Sequence, residues 1–150
     1  MELALSLPED WQVTIAGAGR RTVAGPDIVI HIDPLVPAPE DPRPWMAAAM
    51  ARDLARGGTL RTIGGDHGRS ELGWPMEIVD CEVVDSAGAT VEARLGAFYK
   101  LDEWCAHALV RARDPAALDA AREQVLAILL GARPSWQSRD AVAAIAELWT

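Results

Sequence analysis

The chain has 150 residues, 50% hydrophobic and 24% charged, a composition that excludes extended disorder and low-complexity architectures and suits one packed domain rather than two. Acidic residues number 22 against 14 basic ones, and the net charge of -8 argues against nucleic acid as a partner, because evenly spread negative charge repels phosphate. Met1-Glu2-Leu3-Ala4-Leu5 lacks the basic start of an export signal, and no apolar run approaches the roughly 20 residues that span a bilayer. A cytoplasmic protein without membrane insertion is therefore expected.

Leu3, Leu5 and Leu7 alternate, and beyond Pro8-Glu9-Asp10 so do Trp11, Val13 and Ile15, which predicts half-buried strands joined by a turn. Gly17-Ala18-Gly19 and Gly25-Pro26 punctuate the chain before Ile28, Ile30 and Ile32. Those three place β-branched side chains on one strand face, and Val29, His31 and Asp33 take the other. Prolines from Pro34 to Pro44 withdraw backbone donors, so an extended loop is predicted, followed by a helix capped by Asp41. Met46, Met50 and Leu54 repeat along that helix, and Gly57-Gly58 stops it. Thr59 to Ile63 predicts a short strand and Gly64 to Gly68 a turn. Arg69 to Asp85 then alternates with a phase change near Ile78-Val79, for which a bulge is expected. Turns at Ser86-Ala87-Gly88-Ala89 and Leu101-Asp102-Glu103 set off Val91 to Tyr99 and Trp104 to Val110 as further strands of an antiparallel meander. Asp114-Pro115 opens a helix striped by Leu118, Ala121, Val125 and Ile128 and ended by Gly131. Ser138 is placed to cap a last helix carrying Val142, Ile145 and Leu148 or Trp149. The predicted order is β-β-β-α-β-β-β-β-α-α, an α+β arrangement.

Chemistry-bearing residues fall in few places. Gly64-Gly65-Asp66-His67-Gly68 is similar to part of the manganese signature of the arginase and agmatinase family, with His31-Ile32-Asp33-Pro34 offering a partial second cluster. A glycine turn with Asp66 bonded to its own backbone and His67 exposed accounts for the same residues. Cys105 and His107 share one face of a strand, as His31 and Asp33 do on another, a set from which zinc ligands could be drawn. No Cys-x-x-Cys or His-x-x-x-His chelate supports it, so no metal is expected. Phosphate-loop, dinucleotide and serine-nucleophile motifs are missing as well, and no cofactor is expected. Cys81 and Cys105 read as buried, reduced thiols. Of the six tryptophans most are expected in the core, with Trp74 and Trp104 the better candidates for the rim of a protein-binding surface.

Leu7-Pro8-Glu9-Asp10-Trp11, an early strand ending Ile32-Asp33-Pro34-Leu35, a helix, a long meander and a closing helix together resemble the PsbP-like and DcrB-like fold families. These include the Ran-binding nuclear import factor of yeast and the Eag-type chaperones of type VI secretion. The resemblance covers nearly the whole chain, read as a single domain over 1–150, and departs from the families at Pro34 to Pro44 and Trp136 to Thr150. It implies an α+β fold, an α-β-α sandwich around a central antiparallel sheet, used to bind proteins without catalysis. The expected function is a non-enzymatic protein-binding module, an accessory factor or chaperone for a secreted or membrane-associated protein. Its partner is a protein, with a homodimer as one form. The alternative is a small hydrolase or metal-dependent enzyme using Asp66, His67, Cys105 and His107. Few helices are predicted for so long a meander, which leaves part of one sheet face uncovered. Trp74, Phe98, Trp104, His107 and Leu109 are therefore the expected partner contacts.

Overall fold

The computed structural model describes residues 2–15 and 20–135. The elements β1 (Glu2–Ala4), β2 (Gln12–Ile15), β3 (Arg21–Gly25), β4 (Ile28–Ile32) and β5 (Val36–Pro37) precede α1 (Arg43–Met50). The meander follows as β6 (Thr59–Arg69), β7 (Pro75–Val84), β8 (Thr90–Leu101) and β9 (Trp104–Ala112), and α2 (Pro115–Leu130) and β10 (Arg133–Ser135) come last. The main sheet runs β2-β3-β4-β9-β8-β7-β6, with β5 also paired to β9 and every pairing antiparallel. The short strand β1 pairs apart from it with β10. The turn at Gly17 to Gly19 and the last helix from Ser138, with Trp136 and Trp149, lie outside the described residues.

One face of the sheet is apolar across its central strands. Ile28, Ile30 and Ile32 of β4, Leu95, Ala97 and Tyr99 of β8, and Ala106, Ala108 and Val110 of β9 point the same way, because side chains repeat every two residues along paired strands. The helix α2 seals them with Leu118, Val125, Ile128 and Leu129. Asp114 caps it as predicted, its Oδ1 accepting from the Ala117 N–H at 2.7 Å with Pro115 at the first helical position, and Gly131 ends it. The buried Tyr99 hydroxyl donates to the Leu129 carbonyl at 2.6 Å, tying the helix end to the sheet.

The opposite face carries α1, so the sheet is sandwiched between two helices and the fold is α+β as expected. Trp45, Met46, Ala49 and Met50 pack on Phe98, Leu109 and Cys81. Gly96 makes that contact possible: a Cβ there would stand 2.3 Å from Met50 Sδ. The covering corrects one expectation. Phe98, His107 and Leu109 are 5%, 7% and 1% exposed, since an eight-residue helix suffices to roof the central strands.

Five further predictions change. Asp41 does not cap α1; its carboxylate takes the Arg43 N–H at 3.1 Å and the Arg43 guanidinium, and Pro42 occupies the cap position. The helix also stops at Met50, the chain turning through Asp53 at φ 51° well before Gly57. Gly64 to Gly68 is no turn: these residues continue β6 in register with Asp80 to Met76, and the reversal comes at Ser70 to Trp74. Gly73 carries the positive φ there, and the Ser70 hydroxyl accepts from the Trp74 N–H. The bulge falls at Ile63 of β6, between Thr62↔Cys81 and Gly64↔Asp80, with a second irregularity beside Val83-Val84. The phase change at Ile78-Val79 arises because β7 is covered on both sides: Met76 and Ile78 pack toward α2, Val79 and Cys81 toward α1. Near the N-terminus, β1 and β2 join different sheets, and Val13 is exposed rather than half-buried.

Candidate functional site

Because Ile32 stands opposite Ala108, the next residue out of β4, Asp33, arrives beside His107 on the α1 side of the sheet. The chain leaving α1 brings Arg52 and Asp53 over the same spot. The result is a polar cleft of about 520 Å³ lined by Arg20, Asp33, Trp45, Arg52, Asp53 and His107, among others. Arg52 Nη1 donates to Asp33 Oδ1 at 2.8 Å, Arg20 lies 3.6 Å from the same oxygen, and His107 Nε2 is 3.3 Å from Oδ2. Beside it Arg94, wholly buried, donates to the Met50 carbonyl at 2.8 Å and pairs with Glu92 at 2.8 Å. Arg111 pairs with that carboxylate at 2.6 Å and comes within 3.4 Å of His31 Nε2. Arg94 thus satisfies carbonyls at the end of α1 that no further helical turn can reach, and Glu92 neutralises it.

The electrostatics follow from this packing. Burial, then the Arg52 and Arg111 charges, push the His31 pKa below its ordinary value. Burial also lowers that of His107, with Asp33 pulling the other way. For Glu92 burial opposes ionisation, but the hydrogen bonds from Arg111 and Arg94 win and hold its carboxyl below the usual range. Both imidazoles are therefore neutral near pH 7.

A second cleft, of about 400 Å³ and mostly apolar, opens on the other side of Trp45, where Met46, Met76, Phe98 and Cys105 line it and His67 and Lys100 stand on its wall. Trp45 divides the two, its ring edge-on to both Phe98 (centroids 5.4 Å apart) and His107 (5.5 Å). A third, of about 410 Å³, is framed by Trp74, Leu101, Trp104 and Pro134 with Asp102 and Glu103. Trp104 is 43% exposed, and Trp74 is half-buried with its ring edge-on to Tyr99.

The four residues of the enzyme alternative do not come together. Asp66 pairs with Ile78 on the α2 face, whereas His67 belongs to the row His67, Glu77, Phe98, His107 on the α1 face. Cys105 lies in the apolar cleft with His67 on its wall, and His107 in the polar one. Burial raises the thiol pKa of Cys105 as it does that of Cys81, and both cysteines are free and buried, so neither is poised as a thiolate. Of the zinc set only His107 and Asp33 meet; His31 turns to Thr22 and Arg111. Among the described residues no three His, Cys, Asp or Glu side chains are placed to hold a metal.

The Glu92, Arg94, Arg111 and Arg52 network was missed from the sequence. The signal available was Glu92 and Arg94 alternating with the apolar Val91, Ala93 and Leu95, the last two buried. No family model matches the chain, and no curated protein matches it. Solved structures do. The solution structure of cyanobacterial PsbP (CyanoP) from Synechocystis sp. PCC 6803 superposes with a TM-score of 0.62 at 10% identity, over 89% of this chain and 93% of that one. The fold is PsbP-like. A protein of unknown function from Pseudomonas aeruginosa, PA94, aligns with a TM-score of 0.51 at 12% identity over 91% of this chain and all of its own. At such identities the likeness establishes the PsbP-like fold and leaves the site to be read from its own residues. Among the described residues, no helix of this PsbP-like fold is long and apolar enough to cross a membrane.

Proposed function

We propose that the chain is a non-catalytic protein-binding module of one domain, an accessory factor or chaperone acting in the cytoplasm. The observation that carries this reading is the exposed Trp104, set beside Trp74 over a cleft with Asp102 and Glu103 on its rim. A large ring at such a position is the kind of anchor that dominates interfaces, and the acidic rim on a chain of net charge -8 selects a partner segment with basic residues around an apolar one. Asp66, His67, Cys105 and His107 are not gathered in one cleft: His67 shares one with Cys105 and another with Asp66, and His107 lies in a third, which supports binding over catalysis. Phe98, His107 and Leu109 then serve as the floor beneath α1, and Trp74 with Trp104 as the contact surface. The test is affinity capture from native cell extract with the full chain and with Trp104→Ala, read by mass spectrometry beside a circular dichroism melt. The expected result is a partner recovered by the parent and lost at least tenfold by the variant with the melt unchanged. Equal recovery by both would overturn this surface.

A further inference from the structure

The two edges of the main sheet differ. At one end β2 is four residues long; at the other β6 runs eleven residues and pairs only with β7 among the described residues. A strand of that length presents a row of backbone donors and acceptors to whatever approaches it, and natural proteins ordinarily shorten, cover or break such an edge. Its side chains are exposed along its length save the half-buried Leu60, and Ile63 at the bulge is 60% exposed.

Two glycines in β6 have no reason inside the fold. Neither Gly64 nor Gly68 has a positive φ, and a Cβ added to either would find nothing within 4 Å. Here the space over Gly64 opens into a cleft shared with Ile63, Leu118 and Arg122, and that over Gly68 into one shared with Ile78, Leu126 and Leu130, both on the α2 face, so the two glycines leave this face of the edge strand bare.

The register of β6 identifies the occupant. Pairing with β7 places Arg61 and, beyond the bulge, Gly64, Asp66 and Gly68 on the α2 face, and Leu60, Thr62, Gly65 and His67 on the other. Directly opposed residues in a sheet share a face, so two copies of β6 can pair antiparallel only in registers that respect this division. One of these sets Arg61 against Asp66 twice, by symmetry, and sets the exposed Ile63 against the empty space at Gly64. The neighbouring register that opposes Arg61 to Gly64 pairs no charges, and the one that opposes Arg61 to Gly68 sets Gly64 against Gly65, which lie on opposite faces. Cross-strand opposite charges stabilise a pairing and like charges oppose it, so the self-complementary register is selected. Arg61 is exposed, reaching Glu82 and Thr90 on its own chain, and Asp66 is exposed with Oδ1 on the His67 N–H at 2.8 Å. We propose that a second copy of this chain pairs through β6, antiparallel about a two-fold axis between Ile63 and Gly64, to give a dimer with one continuous sheet.

The test is sedimentation equilibrium of the full chain from low to high micromolar concentration. The expected mass tends to twice the 16.1 kDa of the chain. Arg61→Glu alone and Asp66→Arg alone each place like charges in opposition and should be monomeric. The two single variants mixed in equal amounts should dimerise with each other, since each then offers the charge the other lacks, and the double variant should dimerise alone. Circular dichroism melts of the single variants exclude misfolding as the cause of a monomer. A monomeric parent, dimers indifferent to the single changes, or single variants that stay monomeric on mixing would each overturn the proposal.

Discussion

The two faces of the sheet are closed by different means. On the α2 side a sixteen-residue helix with a side-chain cap and a glycine stop lays four buried apolar residues on a floor of Ile, Leu, Ala and Tyr, with the polar tie from Arg122 to Asp80 at its margin (2.7 Å). On the α1 side a helix half as long, lacking a side-chain cap, covers only the centre of the same strands. Its far end is held by Arg94, Glu92 and Arg111 instead of by apolar burial. The clefts on either side of Trp45 exist because that cover is short. Stability is thus concentrated on one face and accessible polar chemistry on the other, an arrangement that lets a fold vary its surface without disturbing its core.

The comparison is most easily broken on the α2 side. Leu118 is buried against the sheet, and Leu118→Asp would bury a charge with no partner. The expected loss exceeds about 4 kcal/mol, enough to unfold a domain of ordinary stability. A circular dichroism melt reads it, and a midpoint equal to the parent's would show that this helix does not carry the core.

On the α1 side the largest effect should come from Arg94. Replacing it with Met leaves the Met50 carbonyl without its donor and Glu92 with Arg111 as its remaining close partner, at a cost of about 3 kcal/mol. Urea unfolding measures this, and hydrogen exchange should locate it, with the amides of α1 losing protection while those of α2 keep theirs. Uniform loss over both helices would mean that the two faces are not separable.

The α2 face was legible in the sequence because its signals are local. Asp114-Pro115, the stripe from Leu118 to Ile128 and Gly131 lie within one helix, and the alternation of Leu95, Ala97 and Tyr99 needs no knowledge of what covers it. The α1 face was not, because it depends on contacts distant in sequence. Whether Phe98 and Leu109 are open or roofed depends on where an eight-residue helix lands, and nothing in its own residues says so. Likewise Asp33 and His107 could be placed on the faces of their own strands, but their meeting needs the register of β4 on β9. The glycines of β6 misled for a related reason: composition reads them as a turn, whereas pairing with β7 keeps them extended.

The smallest effect concerns pH, and it belongs to the α1 face alone. His31 and His107 have folded-state pKa values below 6.5, chiefly through burial. Below about pH 6.5 the unfolded chain binds protons that the folded one refuses, so their contribution is complete above that value and is lost as the pH falls toward the folded pKa values. Glu92, also depressed, contributes above its ordinary pKa of 4.5 and loses its contribution only in more acid solution, which separates the two windows. Between pH 7 and pH 5.5 the unfolding free energy should fall, because the unfolded chain takes up protons on both histidines that the folded one resists. His31→Asn with His107→Phe should flatten the curve in that interval, the phenyl ring keeping the contacts to Trp45 and Phe98. A slope that survives both changes would place the titration elsewhere and leave the polar cleft without a role in the acid response.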